Sequence, residues 1–339
     1  MNCPPPTGPV SVKNFMSSPQ FKVTYRGVRG SIPTPLLASE IEEKVTRILE
    51  TVTPDDLKDM ASRKAFIQNL PIHLKGCFGG NSACVQVEAG GHLIIFDAGT
   101  GLRILGLDLL DKGFGQGEGE GHLFLSHTHW DHIMGLPFFV PFYRKGNRFK
   151  IYGAHPDLRD RLMNQQSPPH FPVPFTSYEA DVEVVEIRDM ECVELGPVRV
   201  TWKAMAHPGV SYTYRVEYEG KSVVYSTDAE YKRLEPEDLA PTVEFFRDAD
   251  LLIFDSQYTF VEGIEKEDWG HSSTFIGVDL AVAANVKRLA FFHHEPTYTD
   301  TKLMSVFGQT KKYLKAIAPG NPLELMISCE GKTVDLMAD

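Results

Sequence analysis

Four side chains between positions 127 and 132 are of types that bind metal ions. His127 and His129 lie two residues apart directly after a predicted strand, so in extended backbone both imidazoles point to the same side. Asp131 and His132 follow where the chain must turn into a helix, and they direct a carboxylate and a third imidazole to a neighbouring point. Such donors, without a thiolate, suit Zn²⁺ and tolerate Mn²⁺ or Fe²⁺. The run predicts a metal site with room for two ions.

Polar side chains at the ends of other predicted strands supply the further ligands that a pair of ions needs. His207, Asp228 and the pair His293 and His294 each follow an apolar segment of strand-like pattern. Functional side chains tend to gather in the loops that a rigid scaffold positions. Two ordinary explanations stay open, because Asp228 also suits a helix N-cap and His207 suits a turn before Pro208.

The strands that must position these side chains come in two runs, each mixed with helices. This order predicts an α+β fold, an αββα sandwich in which two mixed β-sheets pack face to face with helices outside. Strands are predicted near residues 21–26, 85–88, 92–96, 122–125, 150–152, 182–187, 198–205, 212–218, 222–225, 251–254, 288–292 and 323–327. Helices are predicted near residues 156–165, 236–247, 273–285 and 301–317.

The pattern along the chain predicts an N-terminal arm followed by one catalytic domain. Residues 1–20 are rich in proline and serine and show no periodicity, whereas residues 21–339 carry the predicted strands and helices. Within that domain, residues 37–70 have apolar side chains at helical spacing and predict an inserted helical hairpin. The glycine-rich piece from Gly113 to Gly121 predicts a flexible loop.

Composition limits the classes of function. The formal net charge of -11 and pI near 5.6 argue against a broad basic surface for nucleic acid, because phosphate neutralisation supplies most of that affinity. Five scattered cysteines without a C-x-x-C pair favour free thiols in a reducing compartment. No apolar stretch approaches the roughly 20 residues of a membrane helix. The sequence predicts a cytoplasmic protein without a membrane anchor.

Several motifs, in order along the chain, resemble those of the metallo-β-lactamase superfamily, and within it the branch of ribonuclease Z and related phosphodiesterases. The resemblance extends from about Tyr25 to Asp300 and is specific for the fold, and less so for the substrate. Besides the histidine run, the motifs are Arg26 to Pro35, Gly79 to Ser82, Phe96 to Gly101, Tyr225 to Asp228, Gly270 to Ser273, and Val286 to Leu289 leading into His293.

The resemblance implies two groups of metal ligands that share one carboxylate. Carried over by motif, the ligands are His127, His129 and His207 for one ion, Asp131, His132 and His293 for the other, and Asp228 bridging both. His294 is the alternative to His293. Asp97 resembles the family's first acidic motif, which supports the site from behind and does not bind metal; His294 is otherwise assigned to the same supporting layer.

Two residues are predicted to take part in the reaction itself, namely Asp131 and His271. His271 opens a predicted helix and resembles a histidine that, in the ribonuclease Z branch, faces the phosphate and donates a proton or stabilises charge. A capping or core contact is the alternative for His271. Two ions about 4 Å apart would share a hydroxide that attacks the phosphorus, and His271 would protonate the leaving alkoxide.

The substrate is narrowed by resemblance and by charge. His271 in its Gly-His-Ser-Ser setting and a bridging aspartate, where classical lactamases have a cysteine, favour phosphodiesters over lactams, thioesters and sulfate esters. The tRNA-processing members resemble each other in a long glycine- and proline-rich arm, and no such basic arm is present here. A small or compact diester such as a 3′,5′-cyclic nucleotide is therefore preferred, with tRNA 3′ processing as the alternative. A homodimer is one of the possible oligomeric states.

One basic cluster is a weaker candidate for substrate binding. Arg144, Lys145, Arg148 and Lys150 follow the metal run closely enough to contact an anionic substrate. A solvated turn around Gly146 is the preferred explanation of these charges.

Overall fold

The computed structural model describes residues 20–338 and contains two seven-stranded sheets. The predicted arm lies outside the described residues except for its last position. In the first sheet the order is β14-β1-β2-β3-β4-β5-β6, with strands β1 Phe21–Gly27, β2 Cys84–Ala89, β3 His92–Phe96, β4 Glu120–Phe124, β5 Arg148–Gly153, β6 Asp181–Glu186 and β14 Thr333–Asp335.

The second sheet also has seven strands, in the order β13-β12-β11-β10-β9-β8-β7. Its strands are β7 Val193–Leu195, β8 Val198–Met205, β9 Ser211–Tyr218, β10 Lys221–Ser226, β11 Leu251–Asp255, β12 Arg288–Phe292 and β13 Glu324–Ile327. In each sheet four neighbouring strands run parallel, β3 to β6 in the first and β10 to β13 in the second. The carboxyl ends of these strands are where ligands gather in sheets of this kind.

The core between the sheets explains the apolar strands. Phe96 of β3 stacks on Tyr225 of β10 with ring centroids 5.1 Å apart, and Phe124 of β4 contacts Tyr214 of β9 edge-on at 5.5 Å. Alternate residues such as Ile95 face outward and pack on helices. Strands buried on both faces are expected to be mostly apolar, and β11 and β12 are the clearest examples.

Helices cover the outer faces of both sheets and complete the predicted αββα layering. The first sheet is covered mainly by α5 and α7, and the second by α8, α10 and α11. The helices are α1 Ala38–Thr51, α2 Pro54–Leu57, α3 Met60–Asn69, α4 Ile72–Lys75, α5 Gly101–Leu110, α6 Trp130–Ile133, α7 Leu158–Gln165, α8 Pro236–Phe246, α9 Phe260–Glu265, α10 Thr274–Ala283 and α11 Asp300–Ile317.

The predicted helical segment over 37–70 is helical, but it is divided differently from a simple hairpin. One turn begins at Pro54, and a separate helix begins at Met60 behind the N-cap Asp59, whose carboxylate accepts a hydrogen bond from Ser62 N at 2.8 Å. None of the residues of α1 to α3 is buried among the described part of the chain. The apolar spacing therefore predicted helix, but not a face that contacts the core.

Two other features differ from the sequence expectation. The predicted loop from Gly113 to Gly121 is partly ordered, because a 3₁₀ turn at Phe114–Gln116 buries its phenyl ring and β4 already begins at Glu120. The short edge strands β7 and β14 were not predicted, since three residues carry little periodic signal. No helix in residues 20–338 is long and apolar enough to cross a membrane.

Candidate metal centre

The predicted ligands converge at one edge of the sandwich. The histidine run follows the carboxyl end of β4 in the first sheet. Asp228 and His293 follow the carboxyl ends of β10 and β12, which are parallel strands of the second sheet. His207 follows β8, so each residue reaches the site because its strand ends there. The rule that polar residues after apolar strands gather in space holds for all of these positions.

The first group of donors consists of three imidazoles and one carboxylate. His207 Nε2 lies 3.1 Å from His129 Nδ1. The carboxylate atom Oδ2 of Asp228 is 3.5 Å from His127 Nε2 and 3.7 Å from His207 Nε2. One donor atom of each of these four residues lies within 4.8 Å of the others. This is the set that the resemblance assigned to one ion.

The second group shares Asp228 with the first. His132 Nε2 is 3.2 Å from His293 Nε2 and 3.2 Å from Asp131 Oδ2. The other carboxylate oxygen of Asp228, Oδ1, lies 3.3 Å from His132 Nε2 and 3.2 Å from His293 Nε2. Asp228 thus directs one oxygen at each group, which is the geometry that a bridging ligand requires.

The hydrogen bonds of the imidazoles fit metal ions and are hard to explain without them. His127 Nδ1 donates to Ser126 Oγ at 3.0 Å and His207 Nδ1 donates to the carbonyl of Gly270 at 2.9 Å, so each Nε2 faces the centre with its lone pair. His127 Nε2 is buried and has no hydrogen-bond partner. Bare ring nitrogens directed at one another, together with carboxylates, are the donor set of a site for divalent cations.

Burial and neighbouring charges both shift the pKa values of the titratable groups of this centre. Burial lowers the pKa of His127 well below its ordinary value, and neighbouring His132 lowers it further. Burial alone would raise the pKa of Asp228, but the imidazoles of His293, His132 and His127 outweigh it and hold that pKa well below the usual range. A neutral imidazole and an ionised carboxylate are the forms that bind metal.

Asp97 lies behind the ligands, as the resemblance implied. Its carboxylate accepts hydrogen bonds of 2.7 Å from His132 Nδ1, Ser126 N, Ser126 Oγ and Tyr225 OH. The bond from His132 fixes the tautomer that leaves Nε2 free toward the centre. The backbone of Asp97 is in the left-handed region, with φ of 58°, at the point where the chain leaves β3. Asp97 therefore orients the imidazole of His132 and belongs to neither group of candidate ligands.

His271 borders the centre and is held by Asp255, a residue that the sequence analysis missed. His271 Nδ1 donates to Asp255 Oδ2 at 3.1 Å and lies 3.9 Å from Asp228 Oδ2. Burial alone would lower the pKa of His271, but the Asp255 carboxylate outweighs it and raises that pKa to about 9. Asp255 ends the apolar strand β11, so the rule that found Asp228 would also have found it.

The neighbours His293 and His294 face different parts of the molecule. His293 has a left-handed backbone with φ of 61°, and its Nε2 lies 3.1 Å from Asp131 Oδ2. His294 Nε2 donates to the carbonyl of Ser328 at 3.0 Å, and within residues 20–338 its ring makes no hydrogen bond to a predicted ligand. The turn at His293 therefore directs one imidazole toward the centre and the next one away from it.

We expect the two histidines to respond differently to the same change. His293→Ala removes a donor from the second group, and metal analysis should find fewer ions per chain. His294→Ala removes a buried hydrogen bond, which should cost about 1–3 kcal/mol in the free energy of unfolding while the metal content is kept. Equal metal loss in both variants would contradict this assignment.

The candidate basic cluster lies at the opposite end of the sheet from the candidate metal ligands. Arg148 pairs with Glu120 at 2.7 Å and Lys150 pairs with Glu183 at 3.0 Å. Arg148 opens β5 beside the first residue of β4, whereas the metal residues follow the last residue of that parallel strand. The exposed Arg144 and Lys145 lie in the preceding turn. The solvated-turn explanation fits these charges.

Comparison with known proteins agrees with the observed fold. A family model described as the β-lactamase superfamily domain matches residues 92–294, more than half of the chain. The match includes the histidine run, Asp228 and His293. The chain therefore belongs to the β-lactamase superfamily, and its architecture is the metallo-β-lactamase fold. This fold implies divalent metal ions, which the two groups of donors fit.

One protein similar in sequence and two similar in structure illustrate this comparison. Ribonuclease Z of Metallosphaera sedula is 29% identical over 217 residues, which cover 53% of this chain and 72% of that protein. The metallo-β-lactamase fold protein YhfI from Bacillus subtilis superposes with a TM-score of 0.59 at 18% identity, covering 94% of this chain and 100% of the other. Yeast PDE1 superposes with a TM-score of 0.56 at 14% identity, covering 93% and 99%.

Proposed function

We propose that this protein is a hydrolase of phosphodiester bonds that uses two divalent ions, with Zn²⁺ as the best match. The observation that carries the proposal is Asp228, whose two carboxylate oxygens face two separate groups of nitrogen and oxygen donors. Zn²⁺ matches imidazole-rich sites with few carboxylates, and Mn²⁺ is the alternative. When bound, the two ions supply a nucleophilic water at neutral pH and offset negative charge on the phosphate.

The protein's own side chains would do the remaining work. The cavity over the centre, about 370 Å³, is lined by ligand side chains together with Ser31, Thr128, Trp130 and His271. Ser31 N donates to Asp131 Oδ2 at 2.8 Å and so keeps that carboxylate directed at the second group. His271, with Nδ1 held by Asp255, has Nε2 left for the substrate and would donate its proton to the departing alkoxide.

A small or compact diester, such as a 3′,5′-cyclic nucleotide, is the substrate that we propose. The connection between β5 and β6, residues 154–180 near the middle of the chain, holds one short α-helix and a proline-containing stretch. It carries two arginines against three acidic residues, so a basic arm for gripping long RNA is not found in that part of the chain. The net charge of -11 supports the same choice.

A second candidate is tRNA 3′ processing. The similarity to the Metallosphaera sedula protein named ribonuclease Z favours it. Both candidates share the reaction and the proposed ligands, and they differ in the size of the group that must be held beside the phosphate.

The test of the proposed function is hydrolysis by protein loaded with Zn²⁺ or Mn²⁺. We expect turnover of bis(p-nitrophenyl) phosphate and of 3′,5′-cyclic nucleotides, and a loss of at least roughly 10²-fold in His129→Ala, which removes a donor of the first group. A precursor tRNA with a 3′ trailer, nitrocefin, a thioester and an aryl sulfate complete the panel.

Each part of the panel has a distinct consequence. Preferred cleavage of the precursor tRNA would replace the small-substrate proposal with the second candidate. Inactivity on every diester, with turnover of a lactam, thioester or sulfate ester, would overturn phosphodiester hydrolysis itself.

A further inference from the structure

A second groove opens beside the metal centre, and the metal ligands do not account for it. We call it the aromatic groove; its volume is about 780 Å³, and its lining includes Thr128, Trp130, Phe138, Arg161 and Phe171. Thr128 and Trp130 also line the cavity over the candidate metal centre. The two spaces therefore adjoin, so the groove lies within reach of a substrate bound by its phosphate at the centre. Volumes of this order suit small organic ligands.

The groove exposes aromatic rings that the core does not use. Trp130 is 81% exposed and Phe138 is 51% exposed. Phe138 and Phe171 meet edge to face, with ring centroids 5.5 Å apart, so one ring holds the other in place. Exposed rings held in this way beside a reaction centre form a stacking surface for another planar ring.

One cation in the groove is free to meet a negatively charged ligand. Arg161 on α7 donates through one guanidinium nitrogen to Thr128 Oγ1 at 3.2 Å. Within residues 20–338 it makes no ion pair. Thr128 lies between the ligands His127 and His129, so this guanidinium is positioned next to the centre. A guanidinium of this kind suits a phosphate oxygen or the edge of a base.

A different groove on the other side of the centre lacks these properties. It has a volume of about 250 Å³ and is lined by His271 together with Glu230, Lys232, Phe260 and Glu267. Lys232 is already paired with the Asp268 and Glu230 carboxylates. The carboxylates of Glu230 and Glu267 in this groove therefore make it unfavourable for an anionic substrate. If His271 protonates the leaving oxygen, that oxygen faces this groove and the rest of the substrate extends toward the aromatic groove.

We infer that the aromatic groove is a nucleobase subsite. On this inference, which rests on the proposed phosphodiester hydrolysis, the substrate class is nucleoside phosphodiesters. The base stacks against the rings of Trp130, Phe138 and Phe171. Arg161 contacts the negatively charged part of the same molecule. Base stacking tolerates different bases, since each has an aromatic face, so the groove selects for the presence of a base rather than for one base.

The test measures binding, so that it does not depend on turnover. Adenosine 5′-monophosphate and ribose 5-phosphate carry the same phosphate and sugar and differ in the base. With metal-loaded protein, calorimetry should give a Kd for adenosine 5′-monophosphate roughly 5- to 100-fold lower than that for ribose 5-phosphate. Phe171→Leu keeps apolar volume but removes the ring, and it should reduce this ratio toward one.

Two further variants separate stacking from charge. Arg161→Gln should weaken the binding of both probes by a similar factor, because both carry the phosphate. Phe260 lies in the other groove and has an exposure comparable to that of Phe138. Phe260→Leu should therefore leave the ratio of the two Kd values at its wild-type value. If Phe171→Leu fails to fold, Phe138→Leu, at a more exposed position, provides the same measurement.

The subsite and the proposed reaction fail independently. A wild-type ratio near one, or a ratio unchanged in both ring variants, overturns the subsite even where diesters are hydrolysed. A ratio well above one that falls in the ring variants, in a protein that hydrolyses no diester, supports the subsite and overturns the reaction.

Discussion

Asp228→Asn is expected to reduce the metal content of the purified protein from about two ions per chain to at most one. The asparagine side chain keeps the shape of the carboxylate but loses its charge and one of its two acceptor oxygens. Asp228 Oδ2 faces His127 and His207, whereas Oδ1 faces His132 and His293. In the variant one group therefore loses its oxygen donor at this position, and the other keeps only a neutral amide oxygen there. Loss of a group that merely supports a ligand typically costs roughly 10- to 100-fold in metal affinity or activity. The bridging position should cost more.

Metal content by mass spectrometry and hydrolysis of bis(p-nitrophenyl) phosphate check this expectation. The matched control is Asp250→Asn, because Asp250 is also a buried aspartate, directly before β11 at the opposite end of the same sheet. Its carboxylate accepts hydrogen bonds from Lys287 Nζ at 2.7 Å and from Ser222 N at 2.8 Å. The control should lose some stability and keep both ions. Two tightly held ions in Asp228→Asn would contradict the bridging role.

His271→Ala should lower the rate by an amount that depends on the leaving group. General acid catalysis contributes roughly 10²–10⁴-fold where a proton must reach the departing oxygen. A cyclic nucleotide expels an alkoxide and needs that proton, whereas p-nitrophenolate leaves as a stable anion. We therefore expect kcat to fall by roughly that factor for a cyclic nucleotide and far less for bis(p-nitrophenyl) phosphate.

The metal content of the same variant distinguishes the possible roles of this histidine. Asp255, His271 and His293 also have donor atoms within 4.8 Å of one another, which is compatible with a cation at that point. If His271 is an acid and not a ligand, His271→Ala retains two ions. His122→Ala removes another buried imidazole, on β4 away from the centre, and should leave kcat for both substrates unchanged. An equal fall in kcat for both substrates, together with the loss of one metal ion per chain, would favour a ligand role for His271.

Local pattern was sufficient for much of the fold and for the composition of the centre. Strand β8 and strand β12 were predicted with the bounds that the structure has, because alternating or continuous burial leaves a direct record in side-chain type. The same reasoning placed His207 and Asp228 after strands that do end at the centre. It did not identify Asp255, although this residue ends β11 in the same way.

Other features depended on contacts that no local pattern reports. Helix α5, Gly101–Leu110, was not predicted, and its buried Leu102, Leu105 and Leu109 pack on the first sheet. In α1 the apolar spacing is clear, yet Ile41 and Val45 remain exposed among the described residues. Periodicity reports that one face differs from the other, and only packing decides what that face meets.

By itself, the sequence predicted that His127, His129, Asp131 and His132 form a metal-binding run, since their types and spacing constrain a short piece of backbone. Whether the distant candidate ligands reach this run was decided by the tertiary structure. At the left-handed turn the imidazole of His293 points toward the other candidate ligands and that of His294 points to the Ser328 carbonyl. The pairing of β10, β11 and β12 brings Asp228, Asp255 and His293 to one edge. Convergence of this kind depends on strand order, and strand order is set by contacts between residues far apart in the chain.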